Sequence, residues 1–262
     1  MRRAVGPLLL GSGVLLPLAP LLLWAGTGQW RHPALLPQEL SARGLQLVLD
    51  PAVREALATS AVIAGSVAAL AAVIGCAAGR ALGSYSFPGR RAVQFLLLAP
   101  AIVPTIAVTL GIQVFFLRYG LADTVAGVVL VHLVPTVPYV SLVMGAAFAN
   151  LDPGLEEQAR VLGAGPVRRL LLVTLPAVRP GLVVAAFFAF LISWSEYILT
   201  LLVGGGAVRT LPLLLFAAIG AADHTAAAAL ALVIALPPLV LVGLTARHLT
   251  GRTPAVIGFG RL

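Results

Sequence analysis

The residues in this sequence whose types and spacing could do chemistry are polar side chains set in apolar surroundings, and Glu196 stands out as the acidic residue placed well inside an apolar run. A carboxylate held in a low-dielectric span is costly, so it marks a place that meets a cationic solute or pairs with an arginine. A structural or interfacial role has equal standing, because Glu196 falls toward the outer end of its run. Ser193, Glu196, Tyr197 and Thr200 lie at offsets of three, four and seven, which puts them on one face of a continuous helix. Thr105, Thr109 and Gln113 recur every four residues, and His132, Thr136 and Tyr139 do much the same. Facing one another, the three stripes would line a central cavity, a candidate path for a solute. The plainer reading is that the hydroxyls bond to carbonyls of their own helices.

Other chemistries are excluded on residue types. A phosphate-binding P-loop requires a lysine after its glycine-rich turn, and the chain has no lysine. ATP hydrolysis by that route is therefore closed to it. The zinc-protease, nucleophile-elbow, Cys-x-x-Cys and dinucleotide patterns are absent, and His132, His224 and His248 are isolated from one another. Cys76 is the single cysteine, which rules out an intrachain disulfide and a multi-cysteine metal site. The chain is expected to be no enzyme and to bind no metal or cofactor.

The elements that position these residues are membrane helices. Hydrophobic residues make up 60% of the chain and charged ones 10%, against roughly 25% in soluble domains; mean hydropathy is +1.04. An all-α membrane domain with about six spans follows, since a bilayer crossing takes about 20 apolar residues. The apolar runs cover about 7–28, 55–79, 93–117, 121–148, 180–203 and 225–246. Residues 29–54 read as an external loop with a short amphipathic element, and 211–220 as an apolar stretch too short to span. Pro100, Pro104, Pro135 and Pro138 are expected to interrupt the third and fourth spans. The core occupies about 55–250 of a single domain covering 1–262.

The formal net charge of +8 comes from arginines lying between the spans, without the clustered, aromatic-interleaved face that nucleic acid requires. Alternating the six spans puts twelve arginines on one side, among them Arg2, Arg3, Arg80, Arg90, Arg91, Arg160, Arg168 and Arg169, and five on the other. Positive charge is retained on the cytoplasmic side. Both termini and the 150–179 loop are thus expected in the cytoplasm of a multi-pass inner-membrane protein.

That loop carries helix signals. Asp152 and Pro153 provide an N-cap and an N1 proline, with Glu156 and Glu157 in the first turn, where the helix dipole favours anions. Gly163, Gly165 and Pro166 end the first helix, and Val167–Val173 predicts a second short one before Leu175-Pro176. Leu155, Ala159, Leu162 and Leu170 cannot all be buried by one small helix. The surplus face either docks a partner or packs back on the spans.

Glu157-Gln158-Ala159, Gly163 six residues after Glu157, and Val173-Thr174-Leu175-Pro176 after nine more resemble the EAA signature of ABC importer permeases, with Gln158 and Val173 departing mildly from it. Glu55-Ala56-Leu57-Ala58-Thr59-Ser60 is similar to the start of that family's transport core, with Thr59 in place of the usual asparagine. The resemblance implies a type I importer fold. It also implies that Glu157, Gln158, Ala159, Gly163, Val173, Leu175 and Pro176 belong to a loop that couples the spans to an ATPase. The implied partners are an ATPase dimer that uses ATP and magnesium, a second permease identical or homologous to this one, and an extracytoplasmic substrate-binding protein. Leu162-Gly163-Ala164 and Ser193-Trp194-Ser195-Glu196 resemble polyamine, iron, thiamine or phosphonate-type permeases more than sugar ones. The alternative class is an ion-coupled secondary transporter using Glu196 or His132.

Overall fold

The computed structural model describes residues 16–30, 34, 37–103 and 105–249. The chain forms two compact units, one from the N-terminal sixty residues with Arg209–Val240, the other from Ala61–Val208 with the C-terminal end.

In the first unit, helix α1 (Ala19–Ala25) leads into strand β1 (Thr27–Gln29), which pairs antiparallel with β2 (Glu39–Leu40). Helix α2 (Arg43–Val48) and the first residues of α3 (Pro51–Ser84) follow. The external stretch expected over 29–54 thus contains a small hairpin as well as a short helix. Helix α1 occupies the end of the run expected over 7–28, whose beginning lies outside the described residues. The same unit holds the helix numbered α10 (Leu211–Gly220) and the start of α11 (His224–Leu249). Ser60 accepts the Leu211 N–H at 2.9 Å and so satisfies a donor at the start of α10. Thr225 donates to the Thr27 carbonyl, and Trp24 lies between Trp30 and His224, with ring centres at 4.6 and 5.0 Å.

The second unit contains the rest of α3, then α4 (Arg90–Ile102), α5 (Thr105–Arg118), α6 (Val125–Ala149), α7 (Pro153–Val161), α8 (Pro166–Trp194) and α9 (Ile198–Gly204). Among the described residues, α3, α6, α8 and His224–Gly243 of α11 are long and apolar enough to cross a membrane. The run expected as one span over 93–117 is two helices, because Val103 is extended before Pro104. A proline disfavours the helical conformation in the residue before it. Helix α6, by contrast, continues through Pro135 and Pro138, where breaks were expected.

The run over 180–203 is broken as well. Helix α8 stops at Trp194, Ser195 turns its hydroxyl back to the Leu191 carbonyl, and α9 begins at Ile198. At the other end, Val167–Val173 is not a separate short helix. Pro166–Arg169 runs through a π turn, Leu170–Thr174, straight into the span. The extra residue of that turn falls just before Pro176, which has no N–H to continue the ordinary ladder.

Within this unit the apolar core is built mostly from small and branched side chains, with Met144, Phe116 and Phe148 among them: Ile63, Val67, Val128, Val131, Leu199 and Val203 lie in one cluster with Phe116, and Ala71, Val140, Ala185 and Ala189 in another with Met144 and Phe148. Lipid is as apolar as these side chains, so close packing rather than water exclusion must hold the helices together. Three glycines at four-residue spacing on α3 make this possible against α6. A Cβ at Gly75 would fall 2.6 Å from the Val140 Cβ, one at Gly79 would fall 2.5 Å from the Met144 Cβ, and one at Gly83 would strike the Gly145 carbonyl. Phe95, Leu96, Ile106 and Val114 project outward along α4 and α5.

Candidate functional site

The loop between α6 and α8 is built from local signals. The Asp152 side chain accepts the Gly154 N–H at 2.9 Å, Pro153 opens α7, and Glu156 lies in its first turn. At the other end the Gly163 N–H bonds to the Arg160 carbonyl and the Ala164 N–H to the Ala159 carbonyl, both at 3.0 Å. This pair of bonds is a Schellman closure, which needs a left-handed residue after the C-cap. Gly163 supplies it with φ of +82°. Nothing lies within 4 Å of the place where a Cβ would be, so the glycine is required by conformation and not by a close neighbour.

The helix ends on an uncovered apolar tip. Val161 is 84% exposed and Leu162 87%. Leu155, Glu157 and Gln158 are exposed too, whereas Ala159 and Leu170 are half-buried. Val173 and Leu175 are half-buried in and after the π turn, and Pro176 is exposed. The motif carboxylate Glu157 therefore faces outward. Its neighbour Glu156 faces inward and bonds to the rest of the unit. Arg80 Nη2, on α3, reaches both Glu156 oxygens at 3.1 and 3.3 Å, and the Thr174 hydroxyl donates to Glu156 Oε1 at 2.5 Å. Arg80 and Thr174 escape sequence reasoning, and so does the choice of Glu156 over Glu157. The Gly75, Gly79, Gly83 spacing that seats α3 was the legible signal for the first.

The polar stripes meet in a different way from the one their spacing predicts. Because α8 ends before Glu196, Ser193 and Thr200 are not on one helical face. Both are nevertheless brought to His132, whose Nδ1 lies 2.8 Å from Ser193 Oγ and whose Nε2 lies 3.0 Å from Thr200 Oγ1. Thr136 donates to the His132 carbonyl at 2.8 Å, and Thr200 to the Glu196 carbonyl at 3.2 Å. His132, Thr136, Ser193, Thr200 and Thr109 are all buried within the unit. Gln113 is half-buried and donates to the Leu202 carbonyl at 3.2 Å, joining α5 to α9. Glu196 Oε1 accepts the Leu199 N–H and caps α9. Tyr139 is half-buried against Phe188, and Tyr197 is half-buried at the helix break. Thr105 stands at the start of α5, its side chain outside the described residues.

A capped helix, a Schellman turn at glycine and a π turn thus connect α6 to the span α8. The family described as the binding-protein-dependent transport system inner membrane component matches residues 71–253. The chain belongs to that family.

The permease is 28% identical over 216 residues to the putrescine transport system permease protein PotI of Escherichia coli K12, covering 79% of this chain and 76% of that protein. It is 29% identical over 178 residues to the trehalose transport system permease protein SugB of Mycobacterium tuberculosis, covering 66% of this chain and 65% of the other. Its fold matches a bacterial ABC transporter involved in the import of the acidic polysaccharide alginate with a TM-score of 0.70 over 94% of both chains, at 16% identity. The permease is thus the multi-pass inner-membrane subunit of a type I ABC importer, a transport component and not an enzyme. Membership implies an ATPase and a substrate-binding protein as partners. The ion-coupled alternative built on Glu196 or His132 is set aside.

Proposed function

We propose that this permease forms part of the path for a small polyamine-type cation and that α7 docks into a dimeric ATPase, which uses ATP and magnesium while this chain binds no cofactor. The observation that carries the docking reading is the apolar tip at Val161 and Leu162, held out by the Gly163 turn. Glu157, Gln158 and Ala159 complete the contact, and Val173, Leu175 and Pro176 pass it to the span. The whole chain acts as one permease domain paired with a second permease, identical or homologous, beneath an extracytoplasmic binding protein. The arginine distribution supports cytoplasmic termini.

For the substrate, the name of the putrescine relative is the support, together with Glu196, a carboxylate set at the break between α8 and α9. Tyr139, Tyr197 and Glu196 would meet the solute. Thr105, Thr109, Gln113, His132, Thr136, Ser193 and Thr200 would form the wall behind them.

The test is to purify the tagged permease in mild detergent from its native host with and without Gly163→Arg. An ATPase recovered with the wild type and lost with the variant supports docking; a folded wild type that never brings one, even after crosslinking in the membrane, refutes it. Uptake of labelled putrescine by cells with and without the permease tests the substrate. Equal uptake would remove the polyamine assignment.

A further inference from the structure

We propose that Arg80, Glu156 and Thr174 form the link by which movement of α7 is passed to the membrane helices α3 and α8. This rests on the reading that α7 docks an ATPase, and it names the residues that would transmit the docking.

The three side chains come from three elements and meet at one carboxylate. Glu156 is on the inner side of α7, and Arg80 and Glu156 are 25% and 27% exposed, so the pair is largely shielded from solvent. Thr174 is fully buried, in the π turn that opens the span. Short π turns inside α-helices concentrate at functional positions. The contact is also stiffly mounted on the α3 side, because the Gly79 backbone adjoining Arg80 is pressed against Met144. An α7 displaced by its partner must then either carry Arg80 and Thr174 with it or leave a shielded charge unpaired, which is costly.

The two receiving helices are suited to carry such a movement. From Thr174, α8 continues without a gap to Trp194, about 30 Å of helix at the standard rise. Its far end adjoins the break at Glu196 and the His132 cluster through Ser193. A displacement entering at Thr174 therefore reaches the polar residues on the same rigid rod.

The test uses the complete transporter, permease with its co-purified ATPase, in a Cys76→Ala background with Ser195→Cys as reporter. Ser195 is exposed just past the far end of α8. Maleimide labelling is timed with and without ATP plus vanadate, and ATP hydrolysis is measured on the same samples. The wild type should show a nucleotide-dependent change in labelling rate. With Arg80→Gln the ATPase should still bind and hydrolyse ATP, while the labelling change shrinks roughly fivefold or more, the low end of coupling between linked sites. Thr174→Val should act in the same direction, and Arg80→Lys, which keeps the charge, should retain most of the response.

Responses in Arg80→Gln and Thr174→Val equal to the wild type would overturn the proposal. So would loss of the ATPase in Arg80→Gln with no effect of Thr174→Val, since the pair would then be only a brace. Failure of the wild type to bring an ATPase would instead overturn the docking reading beneath it.

Discussion

Gly79 of α3 lies so close to Met144 of α6 that a Cβ at position 79 would fall 2.5 Å from the Met144 Cβ and 2.8 Å from the Gly145 nitrogen. With Gly75 and Gly83 it forms a seam along which the two helix backbones touch. Gly79→Val should force the helices apart, and overpacking of this kind costs about 1–3 kcal/mol. Thermal unfolding in detergent should show it. Gly65→Val on the same helix, where nothing lies within 4 Å of the added Cβ, should be nearly silent by comparison.

Gly163 makes a different demand. Its φ of +82° is open to asparagine at modest cost and closed to β-branched residues. Gly163→Asn should therefore keep most of the ATPase recovered by co-purification, and Gly163→Val should lose much of it. Equal recovery with both would show that the left-handed turn does not shape the docking surface.

His132 holds Ser193 and Thr200 together through its two ring nitrogens. His132→Leu takes a partner from both hydroxyls inside a packed unit; Thr200 keeps its bond to the Glu196 carbonyl, while Ser193 loses the bond to Nδ1, and a buried polar group left without a partner costs about 1–3 kcal/mol. Ser193→Ala removes one bond and should cost less. Unfolding midpoints compared across the two variants test the order.

Glu196→Gln keeps the shape of the side chain and an oxygen able to accept the Leu199 N–H that Glu196 now takes. If Glu196 meets a cationic solute, apparent KM for putrescine should rise roughly tenfold, the scale of one charge-assisted hydrogen bond. Unchanged uptake kinetics would leave Glu196 as a cap of α9 alone.

Arg43 and Asp223 form an ion pair in the first unit, bonded through both terminal guanidinium nitrogens. Burial alone would raise the Asp223 carboxyl, but the Ala226 N–H and the Arg43 guanidinium outweigh it and hold its pKa below the ordinary 3.8. A depressed carboxyl stabilises the folded chain above its unfolded value, and that contribution fades as pH falls through the folded value. The Arg43 side chain is 56% exposed, so screening limits the pair to below about 1 kcal/mol. Asp223→Asn should therefore lower the unfolding midpoint slightly at pH 6, and the difference should begin to fade below the ordinary value of 3.8, be lost once pH passes under the depressed folded value, and shrink in high salt.

The sequence by itself determined the class of molecule and the bounds of α7. Apolar runs of span length leave few alternatives to a bilayer, Asp152 and Gly163 act through bonds to residues two and three positions away, and Pro153 acts through its own fixed backbone angle, all of which chain order alone makes visible. The tertiary structure decided what depends on separate helices meeting. Whether Glu156 or Glu157 turns inward is set by Arg80, 76 residues away, and the role of Ser193 is set by His132, 61 residues away. Equal spacing along the chain misled at Ser193 and Thr200, because a break at Ser195 to Tyr197 cancels the helical period between them. Local rules fix where a helix starts and stops when the competing conformations differ by a cap or a proline. Which polar groups pair across helices is fixed only once backbone contacts such as the Gly79 seam have set how near the helices can come.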